Sequence, residues 1–168
     1  MSHTKNKVEW CLKKAEKELE KSEKHSGLVR IEPDLKKARE HVNKAEHYLK
    51  ATDYLRKGDF SDISASTVFY SMYHCLLAIA LKFGYESRNQ ECTFALIHYL
   101  IEEREINLDI NLLNKIASLN IKEGEKTGVE IREQYQYGTS LSIKDNLYKE
   151  LFELAKNIIL KTKEIIEK

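Results

Sequence analysis

The sequence predicts an all-α protein: an up-and-down bundle of four to five helices with an extra helix ahead of it. Three observations lead there. Lys, Glu, Leu, Ile and Ala dominate a 168-residue chain that holds one Pro and six Gly, a composition suited to helix interiors. Apolar residues recur at three-and-four spacing in successive segments, and no run alternates as a strand would. The stretch from Phe60 to Gly84, FSDISASTVFYSMYHCLLAIALKFG, is apolar around much of its circumference, so other helices have to cover it.

The first helix is predicted over residues 5–24, with Val8, Cys11, Leu12, Ala15 and Leu19 as a thin stripe among Lys and Glu. A stripe that thin fits packing on the bundle's edge or against another chain. SGLVRIEP then breaks the helix, with Gly27 suited to a C-terminal stop and Pro33 to the first turn of the next helix. Residues 34–57 carry Leu35, Ala38, Val42, Ala45, Leu49, Thr52 and Leu55 in a nearly heptad stripe that Gly58 ends. The short GDFSD link makes this helix and the apolar one antiparallel neighbours.

In the apolar helix Val68, Met72, Cys75, Leu76 and Ile79 share one face. Ser64, Ala65, Ser66, Ser71, Ala78 and Ala80 are small enough to admit close neighbours, and Tyr70, Tyr73 and His74 bring polar tips into the bundle. Gly84 closes it. Ser87 and Gln90 form a capping-box pattern that opens a helix to about Glu105, and a further helix is predicted over 110–122. A glycine-bearing loop leads to a short helix from Val129 to Tyr137, and a last helix runs over 141–168 with Ser142 and Asp145 as its capping box. Residues 1–33 thus form an N-terminal helix and linker, and 34–168 the bundle.

Residues 1–57 hold 15 Lys and Arg against 10 Asp and Glu, and the rest 13 against 17, an asymmetry too mild to specify a nucleic-acid binder by charge alone. Cys11, Cys75 and Cys92 form neither a CxxC pair nor a zinc spacing, and are expected as reduced, buried thiols in a reducing compartment. The early charges leave no signal-peptide core, and the apolar run Cys75 to Leu81 is too short to span a bilayer. A cytoplasmic protein without membrane association is the expectation.

No metal or cofactor site is expected: His41 and His47 are six apart, His74 and His98 stand alone on their helices, and neither HExxH nor a glycine-rich phosphate loop occurs. The remaining cluster is Arg132 to Tyr137, REQYQY. Arg offers a planar donor fork suited to phosphate, and Tyr can donate a hydrogen bond or stack on a base. Five positions on a helix place the two side chains about 140° apart, so they converge only if the helix frays near Gly138. The same residues also read as a helix-end cap and core filler.

The order of these features, with Ala65, Ser66, Phe69, Tyr70, Ser71, Met72, Tyr73 and His74 on the second core helix and Arg132 followed by Tyr137, resembles the HEPN family of nucleotide-binding helical domains, in its small prokaryotic toxin-like branch. The resemblance covers residues 34–168. It implies a four- or five-helix bundle, a homodimer, that binds RNA or a nucleotide phosphate and that pairs with a minimal nucleotidyltransferase as toxin and antitoxin. Arg132, Glu133, Tyr137, Tyr70 and Arg88 are its expected ligand-binding residues. Some HEPN members are metal-independent ribonucleases in which an Arg stabilises phosphoryl charge and a following His moves the proton. Here Arg132 and Glu133 match, but Tyr137 stands at the His position. Tyrosine ordinarily titrates near pH ~10, a poor proton acceptor at neutrality. Three readings follow: a phosphate-binding module; a metal-independent endoribonuclease using Arg132 with Tyr137 or His74; and a non-catalytic dimeric interaction scaffold.

Overall fold

A computed structural model describes residues 2–117 and 126–168. The described chain is mostly helical. In order it forms α1 (His3–Leu19), β1 (Leu28–Arg30), α2 (Leu35–Lys57), α3 (Ser61–Lys82), β2 (Tyr85–Ser87), α4 (Gln90–Glu102), α5 (Ile110–Ile116), α6 (Gly128–Tyr137) and α7 (Asp145–Glu167). The helix expected over 110–122 is seen as far as Ile116, and its remainder, with Leu119, lies outside the described residues.

Helix α3 is the centre, packed against α2, α6 and α7. Its small residues let α2 approach closely enough for the buried Ser71 hydroxyl to donate to the Ala45 carbonyl at 2.7 Å. Thr52 on α2 and Thr67 on α3 share a second hydroxyl contact at 2.7 Å. These bonds satisfy polar atoms that burial would otherwise penalise. Around them Phe69, Met72, Leu76 and Ile79 are fully buried, and truncating any one to Ala would cost about 2–5 kcal/mol. By length and composition alone α3 could cross a bilayer, with a mean hydropathy of 1.4; most of its residues are instead covered by the surrounding helices.

The helix starts follow local chemistry. The Asp34 carboxylate accepts from Lys37 N at 2.9 Å and opens α2, leaving Pro33 just outside the helix. Thr127 and Glu130 form a reciprocal capping box that opens α6. Two expected caps are corrected. Asn89, not Ser87, opens α4 by accepting from Cys92 N at 3.0 Å, and Ser87 instead shares a 2.7 Å contact with the Thr93 hydroxyl. Helix α7 starts after Lys144 with no side-chain cap, so Ser142 does not open it.

A short antiparallel ribbon departs from the strandless expectation, pairing Leu28 with Ser87, Val29 with Glu86 and Arg30 with Tyr85. Three residues per strand are too few to register as an alternation. Gly84 feeds the ribbon with φ +78°, and a Cβ there would lie 2.8 Å from the Ile31 carbonyl oxygen, so the turn needs glycine. Helix α1 ends at Leu19, earlier than expected. Its Glu18 carboxylate accepts from Ser26 N at 2.6 Å and Ser26 Oγ at 2.8 Å, folding the chain back toward β1.

The cysteine expectation is also corrected. Cys11 and Cys92 form a disulfide that fastens α1 to α4 across 81 residues of sequence. Only Cys75 remains a free thiol among the described residues, buried in the core, where desolvation pushes its pKa up to about 12. A reducing compartment therefore does not follow from unpaired cysteines. Lys7 with Glu91 at 3.2 Å, and Thr4 with Glu102, add polar contacts between α1 and α4.

Candidate functional site

Helices α2, α3 and α6 build one stripe of aromatic, imidazole and cationic groups. On α2, His41, Lys44 and Tyr48 are spaced three and four apart, and on α3 Tyr70 and His74 are four apart, so each set occupies one helix face. The close packing of α2 on α3 brings the two faces together. Tyr48 and Tyr70 have ring centroids 5.9 Å apart, Tyr48 stacks on His74 at 5.4 Å, and His74 meets His41 at 5.1 Å. The Lys44 ammonium lies 5.3 Å from the Tyr48 ring centroid.

Arg132 stands at the α6 end of this stripe. Its guanidinium carbon lies 4.9 Å from the Phe69 ring centroid, and one terminal nitrogen donates to the Tyr70 hydroxyl at 3.4 Å. The other terminal nitrogen meets Glu133 at 3.4 Å. Both distances are long for charge-assisted bonds, which close to about 2.7–2.9 Å. The Arg132 side chain is 14% exposed, and its buried Nε has no hydrogen-bond partner among the described residues. The arrangement is a covered guanidinium with unused donors, one ring beneath it and one hydroxyl beside it. Glu133, itself half-exposed, is the carboxylate paired with this guanidinium.

At the other end, His41 and His74 approach through their Nδ1 atoms at 2.8 Å. Such an approach needs one ring to donate and the other to accept, so it fits a neutral pair. Burial lowers the His74 pKa to about 4, with the His41 and Lys44 charges acting in the same direction. Burial also lowers that of His41, assisted by Lys37 and opposed by Glu40. Both rings are thus held below the ordinary imidazole range. Beyond His41 a cavity of about 170 Å³ is lined by Lys37, Glu86, Ser87 and Arg88.

The predicted site residues are therefore partly reunited. Arg132, Glu133 and Tyr70 meet directly, and His74 follows Tyr70 one turn along α3. Arg88 is separate from Arg132: its Nε donates to Glu86 at 2.9 Å, beside His41. Tyr137 is 77% exposed, and α6 stays helical through it, so the fraying that would bring it toward Arg132 is not seen. Sequence reasoning passes over His41, Tyr48, Lys44 and Phe69 as site residues. The signal is the three-and-four spacing on α2, which gains meaning only once α2 is known to face Tyr70 and His74. No cluster of three or more His, Cys, Asp or Glu able to hold a metal ion occurs among the described residues. No protein-family model matches the chain, and no curated protein matches it in sequence.

Proposed function

We propose that the chain is a HEPN-like helical module that binds a phosphate group of RNA or of a nucleotide at Arg132. The observation that carries this reading is the guanidinium itself, 14% exposed and resting on the Phe69 ring, with two hydrogen-bonding contacts of 3.4 Å and with Nε unpartnered among the described residues. A buried cation short of hydrogen bonds is costly unless a partner completes it. A phosphate supplies acceptors in the bidentate geometry that a guanidinium fits. Phe69 beneath and Tyr70 beside it hold the fork in place, and Tyr48 offers a ring for a base.

The test is anisotropy of fluorescently labelled ATP at moderate salt. Arg132→Ala is expected to weaken binding at least ~10-fold, the value of one charge-assisted hydrogen bond. Arg132→Lys keeps the charge without the fork and should fall between. Absence of binding by the parent chain, or equal binding by Arg132→Ala, removes the site.

One observation favours a second reading, metal-independent RNA cleavage with Arg132 and His74. Tyr70, which accepts from Arg132, and His74 lie one turn apart on one face of α3, and with its pKa lowered to about 4 His74 serves as the base only where a bound phosphate raises it. This reading predicts cleavage in EDTA that both Arg132→Ala and His74→Gln abolish.

A further inference from the structure

Helix α1 has three chemically distinct sides. Val8, Cys11 and Ala15 are buried against α4 and the ribbon. Glu9 and Glu16 fall on a second side together with Lys5 and Lys13, and His3, Lys7, Trp10, Lys14 and Lys17 on a third, stepping by four and three residues. At about 100° per residue this third side points some ~120° away from the buried stripe. The second side mixes acids with bases, whereas the third carries basic groups alone, with a single aromatic ring at its centre.

Trp10 is 50% exposed, an unusual position for so large an apolar ring. The Lys7 and Lys14 ammonium groups lie 4.4 and 5.6 Å from its ring centroid. Lys7 also meets Glu91 at 3.2 Å, and Lys14 donates to the Ser26 carbonyl at 3.1 Å. The helix carrying this third side is fixed: the Cys11–Cys92 disulfide holds its middle and Glu18 anchors its end on Ser26. Close approach of the chain at Gly27, where a Cβ would lie 2.4 Å from the Cys11 carbonyl oxygen, locks it further.

We propose that this face, with Lys7, Trp10, Lys14 and Lys17 at its centre, is a docking surface for single-stranded nucleic acid. Phosphates lie along the lysines, and one base stacks on Trp10. Charge complementarity favours a polyanion, and an exposed ring favours a strand whose bases are unpaired, because a duplex hides its base faces. The surface lies on α1 against α4, apart from Arg132 on α6, and does not rest on the phosphate reading of Arg132.

Trp10 is the chain's one tryptophan, so its fluorescence reports this surface directly. Titrating the full, disulfide-bonded chain with an oligouridylate at low salt should quench Trp10 saturably, and a duplex of equal length should quench it much less. Lys14→Gln combined with Lys17→Gln should weaken binding several-fold. The slope of log K against log salt should fall by about 0.7 for each phosphate that no longer faces a lysine. Trp10→Ala should weaken binding of a labelled oligouridylate more than Trp10→Phe, with circular dichroism melts showing both variants folded. Arg132→Ala should leave the quenching in place. The proposal is overturned by no quenching, by duplex binding as tight as single strand, or by quenching indifferent to the lysine changes. A Trp10 blue shift with phosphatidylserine vesicles but no response to oligouridylate overturns it as well, in favour of a lipid surface.

Discussion

Acidification should loosen the α2–α3 interface where His41 meets His74. The His74 pKa is lowered from 6.5 to about 4 by burial and by the neighbouring His41 and Lys44 charges, and His41 is lowered as well. A histidine depressed in the folded state binds more protons when unfolded, so its contribution is complete above pH ~6.5 and disappears as pH falls toward ~4. At full value the His74 shift alone corresponds to about 3 kcal/mol. The ring is only half-buried, so solvent screening brings the expected decrease nearer 1–2 kcal/mol. A first proton can be shared between the two Nδ1 atoms, whereas a second leaves two donors facing each other. Urea denaturation at a series of pH values from 7 to 4 measures this directly, with free energies compared at constant ionic strength. The parent chain should lose stability between pH 6.5 and 4, and His74→Gln should flatten that part of the profile. A His74→Gln profile parallel to the parent's would refute the assignment of the decrease to this pair.

Three further outcomes follow from the packing. Alkylation of the denatured, unreduced protein should label one thiol, Cys75, and after reduction three; labelling of three without reductant would disprove the Cys11–Cys92 bond. Reducing that bond should lower the unfolding free energy by up to ~4.5 kcal/mol from chain entropy alone, read as a shift in the urea midpoint with and without reductant. Gly27→Ala should cost about 2 kcal/mol or more in a thermal melt, because the added methyl would meet the Cys11 carbonyl oxygen at 2.4 Å and Ala15 N at 3.1 Å, both backbone atoms.

The helices are legible because each core stripe repeats at the helical period. Val42 and Ala45 on α2, Met72 and Leu76 on α3, and Leu151 and Ile158 on α7 are buried as their spacing requires. The ribbon is not, since Leu28–Arg30 and Tyr85–Ser87 are each too short to show a period of two and are stabilised by pairing across the fold. The disulfide is hidden for a related reason: only the packing of α1 along α4 makes Cys11 and Cys92 neighbours. The α4 cap falls two residues later than expected because Ser87 and Asn89 are both good cap formers, and pairing of Ser87 in β2 decides between them.

The site divides along the same line. Arg132 and Tyr70 stand out on residue chemistry, and they meet at 3.4 Å. Tyr137 joins them only on the condition that α6 unwinds near Gly138. The chain instead stays helical to Tyr137, and the Gly138 N–H bonds back to the Gln134 carbonyl at 3.0 Å. His41 and Tyr48 are hidden in the sequence as partners of His74 because their three-and-four spacing on α2 does not say which helix that face meets.

The most direct measurement is the affinity of labelled ATP for the parent chain and for Arg132→Ala, each compared with the Lys14→Gln, Lys17→Gln variant. A phosphate site at Arg132 predicts measurable binding that falls at least ~10-fold in Arg132→Ala and is unchanged by the α1 lysine substitutions. Equal affinity in Arg132→Ala, or binding that disappears only with the α1 lysines, would contradict it.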